Sequence, residues 1–348
     1  MKTLLIVTGR GLGGDATIAL NVIRALEKRG VECEIALDES APGTLFEKNG
    51  YSWHKISIPQ AGGHVATKSS IFKAAFRSLT ASFTARRLIR KLDVDFVVGV
   101  LGGGAIIGSV GSKLARKPVF SLISTPLDSK ICPKLNKSFI LPEIAMFKED
   151  VLPKNIEKSY YPLAENVGDG DSKIAFENLS GEGKFASDKK TIVFSSGSSI
   201  FKGTIDAANT IADSSDDYNV VLVGLPLEDE YMDLISDKVI YLGYINWINH
   251  LFKFADLAVL TDDGVMLEEG LACGIPVVAL TRVKWGRYHN MEGVFKGAII
   301  ESEVEDITKN VQKAFDNMDS LKQNALKYSE VCKNASLDLA DKMIKEVK

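Results

Sequence analysis

Short apolar runs alternate along this chain with stretches whose apolar positions recur every three or four residues, a pattern that predicts strands and amphipathic helices in turn. The spacing predicts a strand over residues 3–8, a glycine-rich turn, and a helix over 16–29. A strand over 31–37, a long helical stretch over 68–92 and a strand over 96–101 follow. Glycines 102–104 then open a helix to about 116, and 118–123 reads as another strand. The rhythm breaks between 166 and 189, a polar stretch rich in glycine and serine that reads as a linker or mobile loop. It restarts with a strand over 191–194, a serine-rich run over 195–199 and a helix from about 203. Strands at 220–223, 239–241, 257–260 and 277–280 come next, then one or two closing helices over 322–347.

A βαβα order favours a parallel sheet with helices on both faces. The expected fold class is α/β, with two Rossmann-like doubly wound domains facing across a cleft. The expected boundaries are a first domain over 1–165, the linker over 166–189, a second domain over 190–330 and a closing helix over 331–348. A chain of 348 residues suits two domains of about 150–200 residues each. Ligands of such sheets lie at the carboxyl ends of the strands.

Composition is that of a globular protein, 45% apolar and 25% charged. No apolar run approaches the roughly 18–20 residues that span a bilayer, and the first residues read as a strand rather than a signal peptide, so a cytoplasmic location is expected. Cys33, Cys132, Cys273 and Cys332 lie far apart, without metal or redox spacing. The net charge of −3 is uneven: residues 1–160 carry 23 basic and 14 acidic side chains, the remainder 19 and 31. The first half is therefore expected to face something anionic. No nucleic-acid-binding fingerprint is present, and none is expected as a partner.

The first loop, Gly9 to Asp15, lies between the first strand and its helix. Gly9, Gly11 and Gly14 have dinucleotide-type spacing, with Asp38 as the candidate ribose partner. Gly11, Gly13 and Gly14 let a phosphate or acceptor approach backbone N–H groups at a helix start; Gly102, Gly103 and Gly104 form a second such loop. Asp15 reads either as a helix N-cap or as a general base. Ser195, Ser196, Gly197, Ser198 and Ser199 offer hydroxyls and N–H groups to a phosphate, though without the lysine ending of a P-loop.

Between 242 and 293 the chain reads Leu-Gly-Tyr244-Ile245, then Thr261-Asp-Asp-Gly264, Glu268-Glu-Gly-Leu-Ala-Cys-Gly-Ile-Pro276 and Arg287-Tyr-His-Asn290. This segment resembles the donor-nucleotide half of GT-B glycosyltransferases, the MurG-type enzymes of glycosyltransferase family 28 above all. The first loop, Gly11-Leu-Gly-Gly-Asp15 with Ala19-Leu20 after it, stands where those enzymes have Gly-Thr-Gly-Gly-His and Ala-Leu. The resemblance implies that Glu269 holds the ribose hydroxyls and that the backbone of Ile245, next to Tyr244, reads the uracil. It implies that Gly264 lies near the phosphates, with Arg287 and Asn290 on the donor side. Three departures bear on acceptor and sugar: Asp15 replaces a histidine, Gly286-Arg287 replaces a glutamine pair, and Ser124-Thr125-Pro126 replaces acidic and amide residues.

The resemblance implies no metal and no cofactor, with a UDP-sugar as substrate. Asp93-Val-Asp95 fits a metal motif by letters alone, and Asp262-Asp263 is turn chemistry as much as a metal pair. From 68 to 92 there are seven basic residues and no acidic one; Phe72, Phe76, Leu79 and Phe83 recur at helical spacing, interleaved with Lys73 and Arg77. The stretch reads either as a core-facing helix with a solvated basic side or as a patch that docks on anionic lipid. MurG-like enzymes meet a polyprenyl-linked acceptor there, so a peripheral place on the inner face of the cell membrane is expected. The expected function is that of an inverting, metal-independent glycosyltransferase moving a sugar, an N-acetylhexosamine by resemblance, to a lipid-linked cell-envelope precursor. Asp15 is the expected base. A nucleotide-sugar epimerase of the same fold and a non-catalytic scaffold are the alternatives.

Overall fold

The computed structural model describes residues 1–9, 11, 13–58, 68–284 and 286–348, and for 68–79 the backbone alone. They divide into two compact units: Met1–Leu163 together with Asn334–Lys348, and Ala164–Lys333.

The first unit is built on strands β1 (Lys2–Val7), β2 (Glu32–Asp38), β3 (His54–Ile56), β4 (Phe96–Val100), β5 (Val119–Ile123), β6 (Lys137–Ile140) and β7 (Ile156–Lys158). They form one parallel sheet in the order β3-β2-β1-β4-β5-β6-β7. Its helices are α1 (Gly14–Lys28), α2 (Thr44–Lys48), α3 (Lys68–Leu92), α4 (Gly102–Ala115) and α5 (Asp128–Ile131). The central strands are covered on both faces, which is why they read as unbroken apolar runs: Leu4, Leu5, Ile6 and Val7 are all fully buried.

In the second half of α3 the core-facing stripe is Ala81, Ala85 and Ile89, while Phe83 is about half exposed. This half packs against α4 through small residues, since a Cβ on Gly111 would stand 2.9 Å from that of Ala85. The side chains of Phe72, Lys73, Phe76, Arg77 and Leu79 lie outside the described residues.

The second unit contains β8 (Lys190–Ile200), β9 (Tyr218–Pro226), β10 (Ile240–Gly243), β11 (Leu257–Thr261), β12 (Val277–Leu280) and β13 (Ile299–Ser302), again all parallel, in the order β10-β9-β8-β11-β12-β13. Its helices are α6 (Ser172–Ser180), α7 (Lys202–Ser214), α8 (Ile248–Phe254), α9 (Val265–Ala272), α10 (Met291–Val294), α11 (Ile307–Asp316) and the start of α12 (Met318–Val347). Both units are thus parallel-sheet α/β domains. In each, the strand order reverses once, between β1 and β4 and between β8 and β11, and the carboxyl ends at such a reversal are the ligand-binding edge.

Two expectations about organisation need correction. The stretch 166–189 is no bare linker: Asp171 caps α6 by accepting the N–H of Lys173 at 2.9 Å. Ala175 and Leu179, four apart, are buried, and Phe176 packs 5.9 Å from Phe185 and 6.1 Å from Phe254. The flanking glycines masked a short amphipathic helix. Nor do residues 331–348 form a closing helix of their own. They continue α12, and from Asn334 on they belong to the first unit, where Leu339, Ala340 and Met343 are buried. Arg29 there grips Asp341 with two bonds of 2.7 and 2.8 Å.

Candidate functional site

At the carboxyl edge of the second sheet, β11 ends in Thr261-Asp262-Asp263-Gly264. Gly264 has φ +85, a left-handed backbone that favours glycine, and α9 starts directly after it without a side-chain cap. Glu269, on this short helix, is half-buried and has no side-chain hydrogen bond among the described residues. Loss of solvent pushes its carboxyl up to about 7. Beyond β10, Gly243 turns the chain at φ +64, Tyr244 is exposed and Ile245 half-buried. Neither the N–H nor the C=O of Ile245 takes part in a backbone hydrogen bond among the described residues, so both are available to the edge of a base.

The serine-rich run differs from the expected phosphate loop. It continues β8 to Ile200, with a bulge between Ser195 and Ser199 in its pairing with β9. Ser195 and Ser196 are buried, and their hydroxyls are spent on the backbone: Ser195 Oγ donates to the carbonyl of Val223 at 2.9 Å, Ser196 Oγ to that of Ser199 at 2.9 Å. Phe201 N–H in turn donates to Ser196 Oγ at 3.1 Å. Of this run, Gly197 has nothing near its Cβ position, Ser198 is exposed and Ser199 is half-buried.

Lys284 and His289, both after β12, contact the residues that end β11. Asp262, almost fully buried, accepts the backbone N–H of His289 at 3.0 Å and lies 3.6 Å from its ring Nδ1. Asp263 pairs with Lys284 at 3.0 Å. The Asp pair thus anchors a loop. That loop is further tightened by the N–H of Arg287 donating to the carbonyl of Lys284 at 3.1 Å. Arg287 is exposed, whereas Asn290 sits at φ +49 and caps α10 by accepting the N–H of Gly293 at 2.9 Å. The carbonyl of Asn290 is therefore committed, leaving its amide N–H₂ for a ligand. Asp93 and Asp95, the other metal-like letters, bind Lys117 at 3.1 Å and the N–H of Lys2 at 2.7 Å.

In the first unit Asp15 is the second residue of α1. The N-cap is Gly13, and no side chain caps this helix. The Asp15 carboxyl instead lies by Gly9, its Oδ2 3.2 Å from where a Cβ of Gly9 would stand. Burial, with the charge of Glu143 adding, pushes it up to about 6. The glycines around it divide into two kinds. Gly11 is buried against α2: its Cβ position lies 2.6 Å from Gly43 Cα, and its carbonyl accepts the N–H of Leu45 at 3.0 Å. Gly13 and Gly14 are exposed, with nothing within 4 Å of a Cβ, and leave room for a ligand. Asp38 is no ribose partner here, since Ser40 and the N–H of Ile58 take up its carboxylate.

For Gly102 and Gly104 the expectation of a phosphate loop is corrected, because both N–H groups are taken within the chain. Asp128, fully buried, already fills the start of α4: its Oδ2 accepts the N–H of Gly102 at 2.8 Å and its Oδ1 that of Thr125 at 2.9 Å. Gly104 N–H donates to Thr8 Oγ1 at 2.6 Å. A Cβ on Gly104 would stand 2.6 Å from the carbonyl oxygen of Ile6, so this glycine lets α4 lie close on β1. Asp128, Glu143 and Lys284 are the residues that sequence reasoning passed over. Asp128 carried a faint signal, Thr125-Pro126-Leu127-Asp128 being a capping-type spacing; the other two stand in no motif.

Residues 5–121 match the family model of the glycosyltransferase family 28 N-terminal domain, and residues 176–330 that of glycosyl transferases group 1. Among curated relatives are proteins named UDP-N-acetylglucosamine–N-acetylmuramyl-(pentapeptide) pyrophosphoryl-undecaprenol N-acetylglucosamine transferase. That of Clostridium tetani is 28% identical over 38% of this chain and 40% of its own, and that of Cellvibrio japonicus 33% identical over 34% and 33%. The chain thus spans well under half the length of these relatives, while the Clostridium novyi protein matches at 22% over 93% and 95%. Solved structures of like fold include MurG of Acinetobacter baumannii, with TM-score 0.66 and 16% identity over 99% of each chain. Anabaena HepE in complex with UDP gives 0.68 and 18% over 99% of each chain. The UDP-GlcNAc 2-epimerase of Neisseria meningitidis bound to UDP-GlcNAc gives 0.66 and 14% over 99% and 100%. At these identities the structural likeness carries the fold alone, but two glycosyltransferase domain models match in chain order. The chain has the GT-B fold and carries, in this order, a segment similar to the N-terminal domain of glycosyltransferase family 28 and one similar to glycosyl transferases group 1.

Proposed function

We propose that this protein is an inverting, metal-independent transferase that moves an N-acetylhexosamine from a UDP-sugar to a lipid-linked precursor of the cell envelope. The observation that carries the reading is Glu269: a half-buried carboxyl without a side-chain partner among the described residues, on the helix that starts directly after Gly264. Two vicinal ribose hydroxyls can donate to one such carboxylate. Ile245 offers its backbone to the uracil, and Arg287 with the Asn290 amide faces the sugar. Asp15 takes the proton of the acceptor hydroxyl; the acceptor oxygen forms a bond to the anomeric carbon as the bond to the diphosphate oxygen breaks, and UDP leaves. The lipid-linked acceptor is supported by the names of the curated relatives and by the basic excess of residues 1–160.

Isothermal calorimetry with UDP, GDP and dTDP tests the nucleotide. UDP is expected to bind most tightly, and Glu269→Ala to weaken it by about 1.5–3 kcal/mol, the worth of hydrogen bonds to a charged group. Equal binding of UDP by that variant removes Glu269 from the site. An epimerase has the same fold among the solved neighbours; incubation of the sugar nucleotide without acceptor separates the two, since an epimerase alone turns it over to its epimer.

A further inference from the structure

Lys284 stands where three elements meet. It follows β12 in a segment that Val283 presses against the first turn of α7: a Cβ on Gly203 would lie 3.2 Å from a Val283 methyl. The Lys284 ammonium lies 5.8 Å from the ring centroid of Phe201, the residue before α7, and 3.9 Å from the Cβ position of Gly264, the residue before α9. Neither helix has a side-chain cap. The Lys284 and Asp263 side chains are only 17% and 19% exposed. Their contact at 3.0 Å is an ion pair without hydrogen-bond alignment, because Asp263 Oδ1 is buried and makes no aligned bond.

We infer that Lys284 is the cationic ligand of the donor's diphosphate, and that Asp263 holds its ammonium in place until the donor arrives. This deepens the donor reading above and rests on it. Holding a lysine side chain in so enclosed a place costs free energy unless a counter-charge is near. Asp263 supplies one negative charge in a poorly aligned contact. A nucleoside diphosphate brings more charge and several acceptor oxygens, so the exchange favours the ligand. The start of α9 adds its partial positive charge beside the ammonium. When the bond from the anomeric carbon to the diphosphate oxygen breaks, the electron pair stays on that oxygen. A cationic side chain already fixed beside it stabilises the departing group without reorganising. In this role Asp263 is a positioning residue, not a ligand.

The two charges have opposite expected effects, which a merely structural ion pair would not show. In calorimetry with the full chain, Lys284→Met is expected to weaken UDP by about ten- to hundredfold while changing UMP by no more than about threefold. Lys284→Arg keeps most of the UDP affinity. Asp263→Asn, which frees the ammonium, is expected to leave UDP affinity intact or raise it, and the double variant to behave as Lys284→Met. Because the double variant buries no unpaired charge, it keeps the test valid if Lys284→Met is unstable. Unchanged UDP affinity in both Lys284→Met and the double variant overturns the assignment, as does a loss in Asp263→Asn equal to that in Lys284→Met. Failure of the unaltered chain to bind any uridine nucleotide overturns the donor reading itself, and Lys284's role with it.

Discussion

Two carboxyls are held well above their ordinary range, and the direction fixes their pH behaviour. Asp15 rises from 3.8 to about 6 and Glu269 from 4.5 to about 7, both chiefly through loss of solvent. An acid whose folded value is raised binds more protons folded than unfolded, so stability falls as pH climbs from the ordinary value to the raised one and stays lower above it. Asp15→Asn and Glu269→Gln are therefore expected to stabilise the protein at pH 8, by about 1–3 kcal/mol each, and to do nothing at pH 3.5. Urea unfolding at the two pH values checks this; equal effects at both would contradict it. For transfer, the same Asp15 value places an acidic limb near pH 6 in kcat/KM, with the carboxylate form active above it. Asp15→Asn is expected to lose at least about a hundredfold in kcat and to lose that limb. Sequence reasoning singles out both residues, because each stands in a recognisable glycine-rich frame. It had no means of finding their environment: Glu143, which adds to the shift at Asp15, comes from a segment more than a hundred residues away.

Glycine-rich elements read alike in sequence and differ in space. The start of α1 leaves Gly14 open, whereas the start of α4 presses Gly104 on the backbone of β1. Gly104→Ala is expected to cost about 1–3 kcal/mol or more through overpacking, and Gly14→Ala close to nothing in stability. Thermal melts of the two variants test the division; the reverse order would refute it. If ligand passes over α1, Gly14→Ala shows its cost in KM instead. The strands were legible because burial on both faces makes them continuous apolar runs, as in Leu4 to Val7. The serine run was misjudged because small polar residues suit a turn and a bulged strand equally well, and the pairing of Ser199 with Leu225 is a long-range fact. The α6 helix was missed for the opposite reason: nine residues with two buried positions give too short a period to stand out between flanking glycines.

On the scale of the molecule, no helix among the described residues is long and apolar enough to cross a membrane. The basic excess of residues 1–160 and the exposed Phe83 on α3 are the features that motivate the proposed surface contact. Co-sedimentation with vesicles is expected to need anionic lipid and to weaken as salt rises past about 0.15 M, where charges farther apart than roughly 8 Å are screened. Equal binding to neutral vesicles would contradict that reading.

The two halves share the order of their first six strands yet differ at the start of the helix after the central reversal. In the first, Asp128 behaves as a permanent tenant: a carboxylate grown from the chain itself sits among the N–H groups that a phosphate would otherwise seek. On the donor reading proposed above, only the second unit takes nucleotide. Titration to saturation is expected to end at one UDP per chain, and a second equivalent bound with comparable strength would mean that the tenant can be evicted.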